Sequence, residues 1–145
     1  MSDTATITAT LPKFILFAED DLTDVYFCEE GIKKFDVPVV LKFVGDGAQA
    51  IDWLSGEGPY GDRRSFPMPD LFITDLKMPR RDGLDVLKWV RSRPDLTDLA
   101  VVICSTSYHF SDLTRAQELG AIKYIVKDAR CASLMKFLRE YLTAA

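Results

Sequence analysis

Histidine, excess basic charge and long apolar runs are all scarce in this sequence. It contains one His among 145 residues, and 18 Lys and Arg against 22 Asp and Glu give a formal net charge of −4. This mild acidity argues against non-specific nucleic-acid binding, which depends on clustered cations. No stretch approaches the roughly 18–20 consecutive apolar residues that a membrane span requires. We therefore expect no nucleic-acid and no membrane partner.

Cysteine is rare as well. Cys28, Cys104 and Cys131 are odd in number, far apart, and placed within apolar patterns. This predicts reduced core thiols in a reducing compartment, not a disulfide framework. The segment Met1–Pro12 is polar and Thr-rich, with neither the basic start nor the apolar centre of a signal peptide. We expect a cytoplasmic protein with a polar extension over residues 1–12 and a single domain over 13–145.

Short apolar runs alternate with amphipathic segments along the chain. The five runs are Phe14–Ala18, Val39–Val44, Leu71–Thr74, Ala100–Cys104 and Tyr124–Val126. Four of them are almost unbroken, which is typical of strands covered by helices on both faces. Strict alternation of strand and helix predicts an α/β fold with a five-stranded, parallel, doubly wound sheet.

The segments between the runs contain apolar residues at helical spacing. Such stripes are typical of helices that pack on their own sheet, with a partner-binding face as the alternative. The stripes are Val25, Cys28, Ile32 and Phe35, then Leu134, Phe137, Leu138 and Tyr141. The Gly- and Pro-rich segment Gly56–Pro69 is long for a loop and predicts a surface feature. The sole His, His109, is more typical of a surface loop than of a phosphorelay donor.

Polar and charged residues follow four of the five runs. They are Glu19, Asp20 and Asp21, then Asp75, then Ser105, Thr106 and Ser107, and finally Lys127 and Asp128. The carboxyl ends of parallel strands share one edge of a sheet, which is where such folds bind ligands. Crowded carboxylates repel one another and need a cation or protons. Hard oxygen ligands with room for waters suit Mg²⁺.

Asp75 directly follows the central apolar run Leu71–Thr74, and its carboxylate is a candidate nucleophile. An Asp side chain can become an aspartyl-phosphate. Phosphoryl transfer requires positioning and cations more than covalent chemistry. Lys127 supplies a positive charge, and the Ser105 hydroxyl can donate to a phosphoryl oxygen. Two neighbours have plainer interpretations, since Asp21 is typical of a helix N-cap and Asp82-Gly83 of a turn.

These motifs resemble the receiver domains of two-component response regulators. The resemblance rests, in order, on Ile15–Asp21, Asp70–Pro79 with Asp82-Gly83, Ser105, Gly120-Ala121 and Tyr124–Lys127, within roughly Lys13 to Leu142. It implies a CheY-like, flavodoxin-like fold with strand order 2-1-3-4-5. It also implies a switch protein, not an enzyme, that accepts a phosphoryl group from a histidine kinase.

The resemblance further implies a role for each residue of the site. These are Asp75 as phosphoacceptor, Glu19, Asp20, Asp75 and the Lys77 carbonyl as Mg²⁺ ligands, Lys127 as the phosphoryl-binding cation, and Ser105 and Tyr124 as the switch pair. In such proteins phosphorylation remodels the face formed by the fourth helix, fifth strand and fifth helix. That face is the expected surface of a homodimer.

Three further segments narrow the resemblance. They are similar to segments of the small single-domain regulators that partner bacterial phytochromes and related histidine kinases. The segments are Gly45-Asp46-Gly47, the long Gly56–Pro69 loop and Ser105-Thr106-Ser107. The histidine kinase partner that this implies is a bacterial phytochrome.

One departure from the family concerns Asp128, because the family usually places a cis-linked Pro directly after the strand-five Lys. A cis bond to a non-proline residue costs roughly 2.5–4 kcal/mol. The loop is therefore either trans and differently shaped or strained, and Asp128 adds a negative charge beside Lys127. We expect a functional receiver with an altered loop at this point.

Two alternatives stay open at this stage. One is a degenerate receiver that takes no phosphate and acts as a scaffold, which the substitution at Asp128 favours. The other is a phosphatase with an aspartyl-phosphate intermediate. Such an enzyme would usually need a second acid–base group near the nucleophile, and the position two residues after Asp75 is Lys77.

Overall fold

Five parallel strands form one sheet in the computed structural model, which describes residues 13–143. The strands are β1 (Lys13–Ala18), β2 (Val39–Val44), β3 (Leu71–Thr74), β4 (Val101–Ser105) and β5 (Lys123–Val126). Their order is β2-β1-β3-β4-β5, and every neighbouring pair is parallel. The predicted fold class and strand order are confirmed. The predicted extension over residues 1–12 lies outside the described residues.

Five α-helices connect and follow the strands. They are α1 (Leu22–Ile32), α2 (Gly47–Ser55), α3 (Gly83–Ser92), α4 (Phe110–Glu118) and α5 (Ala132–Thr143). An Asp side chain caps each of the first three by accepting from backbone N–H groups of the first turn. The N-cap predicted at Asp21 is confirmed, and Asp82 serves as the N-cap of α3. Phe35, the last residue of the first predicted stripe, lies beyond the end of α1.

The sheet separates two apolar cores, and the alternation of side chains along β1 shows how. Phe14 and Leu16 face the core shared with α2 and α3, whereas Ile15 and Phe17 face the core shared with α1 and α5. All four are buried. A central strand covered on both faces needs apolar residues at every position, which explains the unbroken run in the sequence.

The long segment between α2 and β3 packs as an ordered surface layer. Tyr60 and Phe66 surround Trp53, with ring centroids 5.3 and 5.1 Å from the indole. The Arg63 guanidinium donates to the backbone carbonyls of Trp53 and Leu54, which lie in the last turn of α2. The side chain thus donates to carbonyls of the last helical turn, where a helix runs out of backbone N–H donors. The prediction of a surface feature here agrees with this packing.

All three cysteines are buried free thiols, as expected. Among residues 13–143, no helix is both long enough and apolar enough to cross a membrane.

Gly83 fixes the approach of α3 to the end of β3. Its N–H donates to the Leu76 carbonyl at 2.7 Å, and a Cβ at this position would collide with the backbone carbonyl of Asp75. We expect Gly83→Ala to lower the free energy of unfolding by about 2 kcal/mol, because backbone must shift to admit the methyl group. Urea denaturation measures this loss. Gly45→Ala is the matched control, since its nearest neighbour would be the flexible Gln49 side chain at 3.7 Å; equal losses in both variants would contradict the argument.

Candidate phosphoacceptor and cation site

Three carboxylates meet at the carboxyl ends of β1 and β3. Glu19 and Asp20 directly follow β1, and Asp75 directly follows β3. One oxygen from each lies within 4.8 Å of the others. Glu19 and Asp75 are buried, whereas Asp20 is exposed to solvent. The adjacent parallel pairing of β1 with β3 brings the three side chains together, as the sequence predicted.

Glu19 carries the clearest sign that this cluster suits a cation. Its Oε1 atom is fully buried and lies 2.7 Å from Lys127 Nζ, yet it accepts no well-oriented hydrogen bond from the described residues. Burial raises the pKa of Glu19 to about 7, against the lowering effect of Lys127. Oxygen donors of this kind, with one open side, fit a hard divalent ion. The residues present therefore match a divalent-cation site.

The Asp75 carboxylate is held at both oxygens. Oδ1 accepts the N–H of Leu76 at 2.6 Å, and Oδ2 accepts from Lys127 Nζ at 3.0 Å. The residue is only 8% exposed. A carboxylate fixed in this way keeps one orientation toward the open side of the acidic cluster, as a nucleophile in an in-line displacement requires.

Lys127 links the ends of three strands. Its backbone N–H donates to the Ser105 carbonyl at 2.7 Å, which joins β5 to β4. Its ammonium contacts Glu19, Asp24 and Asp75 at 2.7, 2.8 and 3.0 Å. Burial disfavours the charged form, but the three neighbouring carboxylates outweigh this effect and raise the pKa of Lys127. The side chain therefore stays cationic throughout the physiological range.

The predicted switch residues lie on the β4 and β5 side of the site. Ser105 is buried, and its Oγ accepts the N–H of Ser107 at 3.2 Å. The Tyr124 hydroxyl donates to the Ser107 carbonyl at 2.9 Å, and its ring is half-buried. Both residues thus contact the same short loop after β4. Their roles in switching remain predictions.

Asp24 is the site residue that sequence reasoning missed. It lies in the first turn of α1, and its Oδ2 accepts from Lys127 Nζ at 2.8 Å. Nothing in the sequence pairs residues 103 positions apart, because this contact depends on how α1 packs beside the end of β5. The signal that was available is weak: an acidic residue in a first helical turn is ordinary on dipole grounds alone.

The loop after Lys127 corrects one expectation. Asp128 places no carboxylate against the Lys127 ammonium, whose acidic contacts among residues 13–143 are the three carboxylates of Glu19, Asp24 and Asp75. Instead Asp128 accepts from the backbone N–H and the hydroxyl of Ser133 at 3.0 and 2.5 Å. Hydrogen bonds from Ser133 lower the pKa of Asp128. The Asp128 carboxylate thus caps the start of α5 and does not pair with the Lys127 ammonium.

The same loop is trans and differently shaped, which was one of the two expected forms. There is no cis peptide bond anywhere in residues 13–143. Arg130 and Cys131 have φ values of 58° and 55°, in the left-handed region that non-glycine residues rarely adopt. These two residues form the turn between β5 and α5 and give it its different shape.

Two further residues lie where sequence reasoning placed them. His109 is exposed and directly precedes α4, as expected of a surface-loop residue. Lys77 is an exposed residue of the turn after β3. Its carbonyl as a cation ligand remains a prediction.

A doubly wound sheet with an acidic cluster at its carboxyl edge, a central Asp, and a facing Lys defines the receiver class of signalling domains. The family model for the response regulator receiver domain matches residues 15–139. The chain belongs to this family. A receiver domain binds a divalent metal ion and acts in two-component signalling.

Several relatives are phytochrome-associated regulators. The chain is 31% identical over 128 residues to the response regulator Rcp1 of Synechocystis, which covers 88% of this chain and 85% of Rcp1. A Mn²⁺-bound structure of Rcp1 matches with a TM-score of 0.82, covering 92% of this chain and 97% of Rcp1 at 30% identity. The phosphorylated cyanobacterial phytochrome response regulator RcpA gives a TM-score of 0.84 at 31% identity, covering 93% of this chain and 97% of RcpA.

A third relative is RPA3017, a response regulator in red light signalling of R. palustris. Its crystal structure matches with a TM-score of 0.82 at 32% identity, covering 93% of this chain and 97% of that one. The chain is therefore a response regulator receiver domain related to phytochrome-associated regulators.

Asp128 is expected to stabilise the start of α5. Asp128→Ala should lower the free energy of unfolding by about 1 kcal/mol, because the Ser133 N–H loses its acceptor. Asp128→Pro should lose at least as much, since φ at this position is −134° and proline requires about −65°. Thermal or urea unfolding measures both. Ser133→Ala is the partner control, and a proline variant as stable as wild type would contradict the observed loop.

Proposed function

We propose that this protein is a phosphorylation-dependent switch in which Asp75 accepts a phosphoryl group from a histidine kinase. The observation that carries the proposal is the arrangement of Asp75, whose carboxylate belongs to the acidic cluster and accepts a hydrogen bond from the Lys127 ammonium. This arrangement offers the nucleophile and the charge compensation that phosphoryl transfer requires. The phosphorylated structure of RcpA, a relative at 31% identity, supports it.

The acidic cluster would hold Mg²⁺ through Asp20 and Asp75, with Glu19 and the Lys77 carbonyl completing the set. Bound there, the ion would offset charge on the transferring phosphoryl oxygens. Lys127, which contacts Glu19, would donate to a phosphoryl oxygen in place of Asp75 Oδ2. The Ser105 hydroxyl, whose described contact is as an acceptor, has its proton free to donate.

Ser105 and Tyr124 would change their contacts when Asp75 is phosphorylated and would thereby alter the protein surface near β4 and β5. Both contact the loop after β4, through Ser107. If the Ser105 hydroxyl moves toward a phosphoryl oxygen, its bond to the Ser107 N–H is lost and the Tyr124 contact on the same residue shifts. The phosphoryl group thereby favours the state that gives it more contacts.

The physiological donor that we propose is a bacterial phytochrome or a related histidine kinase. The support is a group of relatives that includes regulators named for phytochromes and for red light signalling. We place the protein in the cytoplasm, where such a kinase domain would meet it.

Phosphorylation is tested by intact-mass measurement after incubation with acetyl phosphate and Mg²⁺. We expect wild type to gain the mass of one phosphoryl group and Asp75→Asn to gain none. A chelator of divalent ions should abolish the gain in wild type. No adduct in wild type would indicate a degenerate receiver, and steady phosphate release from diverse monoesters would indicate a phosphatase.

We further propose a homodimer through the face formed by α4, β5 and α5. Val126 lies in β5, Tyr141 lies in α5, and Ile122 directly precedes β5; these apolar side chains are exposed at 39%, 38% and 47% of their areas. Exposed apolar side chains grouped on one face are typical of an interaction surface.

Sedimentation with and without Mg²⁺ and beryllofluoride tests the dimer. Beryllofluoride serves as an analogue of the phosphoryl group on Asp75, and we expect it to increase the dimer fraction of wild type. Val126→Glu should stay monomeric because it places charge in the apolar face. Leu22→Glu is the matched control, since Leu22 is 81% exposed on α1, away from this face. The same loss of dimer in both variants, or no dimer in wild type, would contradict the proposed interface.

A further inference from the structure

The Lys127 ammonium contacts three carboxylates in this structure. An ammonium group has three protons to donate. Nζ lies 2.7 Å from Glu19 Oε1, 2.8 Å from Asp24 Oδ2 and 3.0 Å from Asp75 Oδ2. A phosphoryl oxygen that approaches Lys127 must therefore replace one of these contacts or share the ammonium with them.

Asp24 differs from the other two partners of Lys127. Glu19 and Asp75 belong to the acidic cluster that fits a cation, whereas Asp24 does not. A divalent ion held by the cluster would therefore offset the charges of Glu19 and Asp75 and would leave the Asp24 carboxylate to Lys127. Among the three partners, Asp24 is the one whose charge stays with the ammonium when a cation occupies the cluster.

The position of Asp24 is also fixed by its surroundings. It lies in the first turn of α1, directly behind the N-cap formed by Asp21. The Cys131 thiol lies 3.9 Å from both its carbonyl oxygen and Oδ1. Its side chain is only 22% exposed, so solvent screens its contact with Lys127 less than it would an open surface pair.

We propose that Asp24 is a positioning residue that holds the Lys127 ammonium and offsets its charge, and so limits the affinity of the site for a phosphoryl group on Asp75. This inference rests on the proposed function. Under this proposal a residue of α1 helps to set the affinity of the site for a phosphoryl group on Asp75.

Two opposing effects decide the sign of this inference. The Asp24 carboxylate orders a long, flexible side chain, which favours binding. Its negative charge, close to the place that phosphoryl oxygens would take, disfavours an incoming anion, and this repulsion is strong where water is partly excluded. Glu19 also contacts the Lys127 ammonium, so the order of the Lys127 side chain does not depend on Asp24 alone. The charge of Asp24 lies outside the acidic cluster, so a cation bound there would offset it less than the charge of Glu19.

Asp24→Asn separates charge from position. The amide oxygen keeps an acceptor for Lys127 Nζ, while the negative charge is lost. We expect the dissociation constant for beryllofluoride at saturating Mg²⁺ to fall about tenfold in Asp24→Asn, as the loss of one nearby like charge predicts. Asp24→Glu retains the charge and should bind within about twofold of wild type on the same grounds.

Isothermal titration of the full chain with Mg²⁺ and then with beryllofluoride gives the two constants separately. Glu29→Gln is the matched control, because it removes one exposed negative charge from the same helix without touching the site. Its beryllofluoride affinity should equal that of wild type. A purely structural role for Asp24 would lower the unfolding midpoint and weaken binding, and would not tighten it.

The outcomes separate the inference from the function on which it rests. Beryllofluoride binding that is unchanged or weaker in Asp24→Asn, with normal binding in wild type, would overturn the inference and leave the proposed function intact. An equal gain in Glu29→Gln would overturn it too, since net charge alone would then explain the effect. Absence of binding in wild type would overturn both.

Discussion

The ion-pair group around Lys127 is the interaction on which the rest of the site depends. One ammonium joins carboxylates from the end of β1, the first turn of α1 and the end of β3. Its own backbone N–H ties β5 to β4. Removing the cation would leave buried carboxylates facing one another, and a buried charge without a partner is among the costlier defects in a fold. The ion pairs of Lys127 therefore stabilise the fold and also form part of the candidate site.

The sheet order explains why these groups meet. β1 lies next to β3, so Glu19 and Asp75 follow strands that are direct neighbours in the sheet. Gly83 lets α3 begin close to the Asp75 carbonyl, which fixes the backbone at Asp75. The unbroken apolar runs bury both faces of the central strands and hold the strand ends in register. A rigid edge of this kind keeps charged side chains at fixed separations, as preorganised sites require.

Sequence reasoning succeeded for residues at strand ends and failed where distant elements pack together. The placement of Asp75 and Lys127 could be predicted from apolar runs and the rule for parallel sheets. Asp24 could not be found in this way, because its relation to Lys127 depends on the direction in which α1 leaves β1. Asp128 was recognised as unusual, but the prediction that its charge acts on Lys127 was wrong. Its side chain accepts from Ser133 instead, and sequence adjacency to Lys127 does not reveal this contact.

Charge balance connects the site to its regulation. Glu19, Asp20, Asp24 and Asp75 contribute four carboxylates against the one ammonium of Lys127. An anionic phosphoryl donor would be repelled by such a site unless a divalent ion entered first. The Asp24 carboxylate offsets part of the positive charge of Lys127, because its Oδ2 accepts a hydrogen bond from the ammonium. Under the proposed function, the attraction for a phosphoryl group would come mainly from a bound divalent ion, so the availability of the metal, and not Lys127 alone, would set how strongly the site holds phosphate.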